Sequence, residues 1–156
     1  MWKDVVLWLF VITLGTAFGA GVYEARVVVP GWAELPPGRW PNTGLQFWVY
    51  VTTIPLTLLT LVNGAAAWLT RGPRRSWHLT AVGIVLLERL ATFSYFIPAM
   101  VGMMGTEGTA GADLRAALST WLLLNNGRHV LTLAGWLAAL RALSLGGERT
   151  AAVRAR

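Results

Sequence analysis

VVLWLFVITLGTAFGAGVYEARVVV, residues 5–29, is an apolar run with one acid, Glu24, and one base, Arg26, both close to its end. A helix crossing a bilayer needs about 20 such residues, so this segment reads as a membrane span. Three more runs come after it, at about 46–69, 77–104 and 114–143, each closed by Gly, Pro or charge. Backbone in hydrocarbon must satisfy its own hydrogen bonds, so all four read as helices. The fold class expected is therefore all-α, a four-transmembrane-helix bundle forming one integral membrane domain over residues 1–156. Composition agrees. The chain is 55% hydrophobic and only 13% charged, against about 25% charged in soluble domains. A soluble enzyme, a disordered tail and a coiled coil are excluded on that ground. Met1–Ala20 has the charged start and small residues of a signal peptide, but its apolar run continues to Val29, which favours an uncleaved helix.

The net charge of +6 is explained by topology and not by nucleic acid. Lys3, the 71–75 loop with Arg71, Arg74 and Arg75, and the tail with Arg149, Arg154 and Arg156 carry the positive charge. The two alternate loops, with Glu34 and Arg39, and with Glu107, Asp113 and Arg115, are poor in it. The positive-inside rule then puts both termini in the cytoplasm and the 30–45 loop outside. The Ala/Arg/Gly-rich composition suits a bacterial plasma (inner) membrane. Most of the nine Trp lie near helix ends, as an aromatic belt requires. Trp48 and Trp121 lie deeper and are candidates to line a pocket. Pro30, Pro36, Pro37 and Pro41, with Trp32 and Trp40, make the outer loop either a stiff lid or a plain connector.

Ionisable residues inside spans are costly and point to function by default. Glu24 closes the first helix, Glu88-Arg89 sits mid-helix in the third, and Asn125-Asn126-Gly127-Arg128-His129 in the fourth. Trp121, Asn125, Arg128 and Thr132 share one helical face, and Asn126 and His129 a neighbouring one. Glu88, Thr92 and Tyr95 share a face of the third helix. The second helix offers Tyr50, Thr52, Thr53 and Asn63. These groups are expected to converge on one outward-opening cavity, although interhelical ion pairing would account for the charges alone. His129, with a reference pKa near 6.5, is a candidate general base; packing is an equal reading. His78 reads as interfacial. Gly15-x-x-x-Gly19, followed by Gly21, permits close packing within the bundle, and Pro55 and Pro98 predict kinks.

With no Cys, disulfides, thiolate metal sites and Fe–S clusters are excluded. One deep His excludes bis-His haem, and no nucleotide motif is present. The cofactor expectation is none, or a single metal ion held by Glu24 and His129.

The run Gly19-Ala20-Gly21-Val22-Tyr23-Glu24-Ala25-Arg26-Val27-Val28-Val29-Pro30-Gly31-Trp32, the Ile97-Pro98 step, and Trp121-x3-Asn125-x2-Arg128 resemble the anthrone oxygenase-like family of small membrane proteins. The resemblance is patchy and spans roughly 15–140. It implies a four-helix bundle. Some fungal members oxidise anthrones to anthraquinones with molecular oxygen and no cofactor; many bacterial members have no assigned activity. It carries over to Glu24, Pro30, Trp32, Trp121, Asn125 and Arg128.

The expected function is an integral membrane oxygenase, or related tailoring enzyme, acting on a hydrophobic polycyclic aromatic. Glu24 or His129 would be the base, and Arg128, Asn125 and Tyr95 the oxyanion donors. Trp121, Trp32, Tyr50, Glu88 and Arg89 complete the expected substrate site. The alternatives are a small proton-coupled transporter or lipophilic-ligand binder, and a scaffold whose polar groups merely pair. The expected partners are a hydrophobic small molecule and the bilayer, with no nucleic acid; self-association is left open.

Overall fold

A computed structural model describes residues 2–40, 45–105 and 112–154, with side chains to residue 146 except that of Ala33. It contains four helices long and apolar enough to cross a membrane: α1 (Trp2–Trp32), α2 (Phe47–Trp68), α3 (Pro73–Met104) and α4, whose apolar part is Ala112–Gly146. No strand occurs among the described residues. The helices run up and down. Lys3 Nζ donates to Leu69 O at the end of α2 (2.6 Å), and Asp4 pairs with Arg74 in the first turn of α3 (2.7 Å). The position of Gly146 in α4 abuts the Arg74 side chain. The start of α1, the α2–α3 turn and the far part of α4 thus meet at one end of the bundle.

The boundaries differ from the expected ones in physically simple ways. Pro30 does not stop the first helix: it opens a 3₁₀ segment, Val29–Glu34, whose first-turn N–H is dispensable. Arg74 and Arg75 belong to α3, not to a loop, because Gly72 adopts φ 78°, reserved in practice for glycine, and turns the chain at once into Pro73. Gly146-Gly147 does not end α4, which runs from Ala112 to Arg154. Pro41, Gly44 and Glu107 lie outside the described residues, as do the side chains of Arg149, Arg154 and Arg156.

Three helices each contain a π turn: Glu24–Val28 in α1, Phe47–Thr53 in α2 and Thr92–Phe96 in α3. The i−5 bonds are explicit: Val29 N–H to Glu24 O, Ile54 N–H to Val49 O, and Ile97 N–H to Thr92 O. A proline comes after each one. Pro30, Pro55 and Pro98 lack the N–H for the carbonyl four residues back, and their rings crowd it. Those carbonyls belong to Arg26, Val51 and Ser94, which all lie inside the π turns. The expected proline kinks therefore take the form of widened turns, each adding one residue to the helical count.

Two apolar clusters fill the bundle, with a polar layer between them. Leu7, Phe10, Leu14, Leu56 and Val85 pack with small residues of α4, Ala138, Ala139 and Ala142, near the end that holds Lys3. Trp32, Trp40, Phe96, Leu118 and Trp121 pack near the other. Apolar burial supplies little drive between helices in lipid, so close approach and polar links matter more. One link corrects the sequence reading of His78. It is buried rather than interfacial, its Nε2 2.9 Å from Asn63 Oδ1. Asn63 Nδ2 in turn donates to Val6 O of α1 (3.1 Å).

Candidate functional site

The π turns surround a cavity of about 450 Å³ at the end of the bundle that holds Trp32 and Trp40. Its walls are largely aromatic: Trp32, Trp40, Phe47, Trp48, Phe96 and Trp121. Three polar side chains of consequence reach it: Glu24, Thr92 and Arg128. Trp32 and Trp40 stack at 5.2 Å, nearly parallel. The Trp40 indole N–H donates to both Trp32 O (2.9 Å) and Leu35 O (3.0 Å). The Pro/Trp-rich segment is therefore built as a packed cover over the cavity. Phe96 and Trp121 meet edge to face at 6.0 Å, and the Trp121 N–H donates to Phe96 O (3.2 Å).

The Glu24 carboxylate is half-buried on the wall and accepts from the Trp48 indole N–H at 2.7 Å. Opposite charge lies beneath. Glu88, only 2% exposed, receives a two-pronged contact from its sequence neighbour: Arg89 Nε to Oε2 (2.6 Å) and Nη2 to Oε1 (2.7 Å). Thr92 Oγ1 donates to the same carboxylate (3.0 Å). Arg128 crosses from α4, its Nε 3.9 Å from Glu88 Oε1 and its Nη1 3.4 Å from Thr92 Oγ1. Its guanidinium lies 5.0 Å from the Phe96 ring centroid, a cation–π distance. Arg89 is thus tightly held, while Arg128 is loosely held and presented to the cavity. The Glu88–Arg89 contact is an ion pair buried within α3.

The α4 face read from spacing is as expected: Trp121, Asn125 and Thr132 are buried and Arg128 nearly so, whereas Asn126 faces outward. Glu24, Arg128, Trp32 and Trp121 are on the cavity wall. Asn125 and His129 are not; they lie behind it, buried in the bundle. Asn125 makes no side-chain hydrogen bond, and neither does His129 Nε2, among the described residues. Glu88 and Arg89 are likewise behind the wall, reaching it through Thr92 and Arg128.

Two expected wall residues are displaced. Tyr95 is 38% exposed and lines a separate groove with Ala99, Gly102 and Thr120. The π turn is the reason. Its extra residue rotates the next part of the helix by about 100°, so Phe96, 6% exposed, takes the phase that Tyr95 would hold beneath Thr92. Tyr50 lies within the α2 π turn and faces away, 68% exposed, while Trp48 two residues earlier faces in. Trp48, a pocket candidate from its depth in the sequence, is on the wall, and Phe96 is the wall residue that helical spacing did not single out. The proline just after each turn was the available signal.

His129 turns its Nε2 towards Gly21, three residues before Glu24 in α1. Among the described residues, no group of three His, Asp or Glu side chains forms a metal-ligand set. The glycine pattern is refined as well. A Cβ at Gly21 would sit 2.5 Å from His129 Nε2 and one at Gly15 3.0 Å from the Trp136 ring, whereas Gly19 has open space. Gly15 and Gly21 thus seat side chains of α4. Gly21→Ala is expected to cost about 1–3 kcal/mol by overpacking and to shift the His129 ring resonances in NMR; Gly19→Ala is expected to change neither.

No protein family, curated protein or solved structure matches this chain.

Proposed function

We propose that this chain is a multi-pass membrane enzyme that oxygenates a flat, lipophilic ring system carrying a carbonyl group and an acidic CH₂, as an anthrone does. The observation that supports this most is the cavity: an aromatic enclosure of drug-sized volume with one carboxylate and one loosely tied guanidinium on its wall. The resemblance of the Glu24–Trp32 and Trp121–Arg128 segments to anthrone oxygenases points the same way.

In this reading Glu24 takes a proton from the CH₂ carbon, and the Arg128 guanidinium stabilises the enolate oxygen that forms. The enolate passes one electron to molecular oxygen, and the two radicals combine at carbon as a peroxide. Glu24 returns its proton, and the hydroperoxide loses water to leave a second carbonyl. The balance is CH₂ plus O₂ giving C=O plus H₂O, with Glu24 regenerated. Asn125 and His129, behind the wall, do not touch substrate, and His129 packs against α1 at Gly21. We place the end bearing Lys3, Arg71, Arg74 and Arg75 in the cytoplasm of a bacterial inner membrane, by the positive-inside rule.

The test is oxygen uptake by detergent-purified protein supplied with anthrone. Consumption of one O₂ per quinone formed is expected, with Glu24→Gln lowering turnover about 10²–10⁴-fold. A second reading, a lipophilic-ligand binder or proton-coupled transporter, draws on Glu24 being the one acid on the described wall. It predicts ligand binding, or ligand-driven proton movement in vesicles, with no oxygen consumed.

A further inference from the structure

The cavity is closed at its end and open at its side. Trp32 and Trp40, which cover it, are 8% and 6% exposed and tied by indole hydrogen bonds. Phe96 and Trp121 close the α4 side. Other wall residues behave differently. Leu45 just before α2, and Ile97 and Val101 on the last turns of α3, line the cavity and are 54%, 40% and 63% exposed; Tyr23 of α1 also lines it and is 61% exposed. Three such residues facing one another across the α2–α3 gap mark where the cavity approaches the surface. The surface reached between α2 and α3 is apolar, and it belongs to helices of spanning length and composition.

We infer that this gap is a lateral portal through which a neutral lipophilic ring molecule enters from the hydrocarbon layer, passing between Leu45 and Val101. The inference rests on the reading of the cavity as a ligand site. It adds the route, and with it the ligand class. Charged or strongly hydrated molecules are excluded because no polar wall leads them in, and the polar groups, Glu24 and Arg128, come last. The arrangement also accounts for the covered end. A site filled from lipid gains from excluding water above it, since an enclosed low-dielectric space strengthens the Glu24 and Arg128 interactions.

The chain has no Cys, so Val101→Cys introduces a single addressable thiol at the portal. The protein, in lipid nanodiscs under nitrogen, is alkylated either with a methyl group or with a bulky pyrenyl group. Anthrone binding is then followed by quenching of tryptophan fluorescence. The bulky adduct is expected to slow association and dissociation alike by about tenfold or more, leaving Kd unchanged. The methyl adduct is the reference at the same wall position, and the rates of the bulky adduct are compared with it. An obstruction in the route changes both rates together, whereas damage to the site changes Kd. Ile97→Cys, treated identically, is the second position should the first variant fold poorly. Unchanged rates with both bulky adducts would overturn the portal; acceleration by Trp40→Ala would then assign entry to the covered end. Absence of anthrone binding by the parent protein would instead overturn the ligand-site reading, and the portal with it.

Discussion

Glu88→Ala is expected to destabilise the bundle by about 3–5 kcal/mol, the cost of leaving buried cations without their counter-ion. Glu88 is 2% exposed, near the middle of α3, and it serves Arg89, Thr92 and Arg128 at once. Removing it strands Arg89, whose Nε and Nη2 have no other partner among the described residues. Equilibrium unfolding in mixed micelles, followed by far-ultraviolet circular dichroism, measures the loss. Arg89→Leu in the same chain is expected to restore most of it, because removing both charges of a buried pair is far cheaper than removing one. A loss below about 1 kcal/mol, the scale of an exposed pair, would show that water reaches these groups freely.

Arg128→Ala is expected to have the converse profile: a modest effect on stability and a large one on function. Its ties are long, 3.9 Å to Glu88 and 3.4 Å to Thr92. Glu88 keeps its Arg89 and Thr92 contacts when Arg128 is gone. If Arg128 stabilises an enolate oxygen, removing that one donor is expected to lower turnover about 10²–10³-fold, with anthrone affinity falling less. Arg128→Lys keeps the charge but loses the planar fork, and intermediate turnover is expected. Oxygen uptake at varied anthrone concentration separates the effects on kcat and KM. Unchanged turnover in a folded Arg128→Ala protein would assign Arg128 to packing and remove the chemical role proposed for it.

The polar layer was legible because lipid makes charge conspicuous. Glu24, Glu88, Arg89 and Arg128 stand out within apolar runs, and spacing on α4 correctly grouped Trp121, Asn125 and Arg128 on the inner face. That grouping worked because α4 is unbroken by proline over its described length. The same arithmetic misplaced Tyr95 on α3, where the π turn before Pro98 adds a residue to the count. His78 was misread for a different reason. A polar residue near a helix end is satisfied equally by water or by a partner, and only packing shows that the partner is Asn63.

Sequence by itself determined the class of this protein: four helices of spanning length, no thiol chemistry, and a few ionisable groups held in the bundle interior. Each of these comes from local quantities, namely run length, composition and the cost of charge in hydrocarbon, which need no knowledge of neighbours. Tertiary structure alone decided which of those groups share a space. Glu24 and Arg128 came to one wall, Arg89 was tied off on Glu88, and Asn125 and His129 fell behind the wall. It also decided that Trp32 and Trp40 fold back as a stacked pair on the cavity wall. Those outcomes depend on the phase of each helix after its π turn. One extra residue turns a side chain by about 100°, enough to move it from the cavity to the lipid.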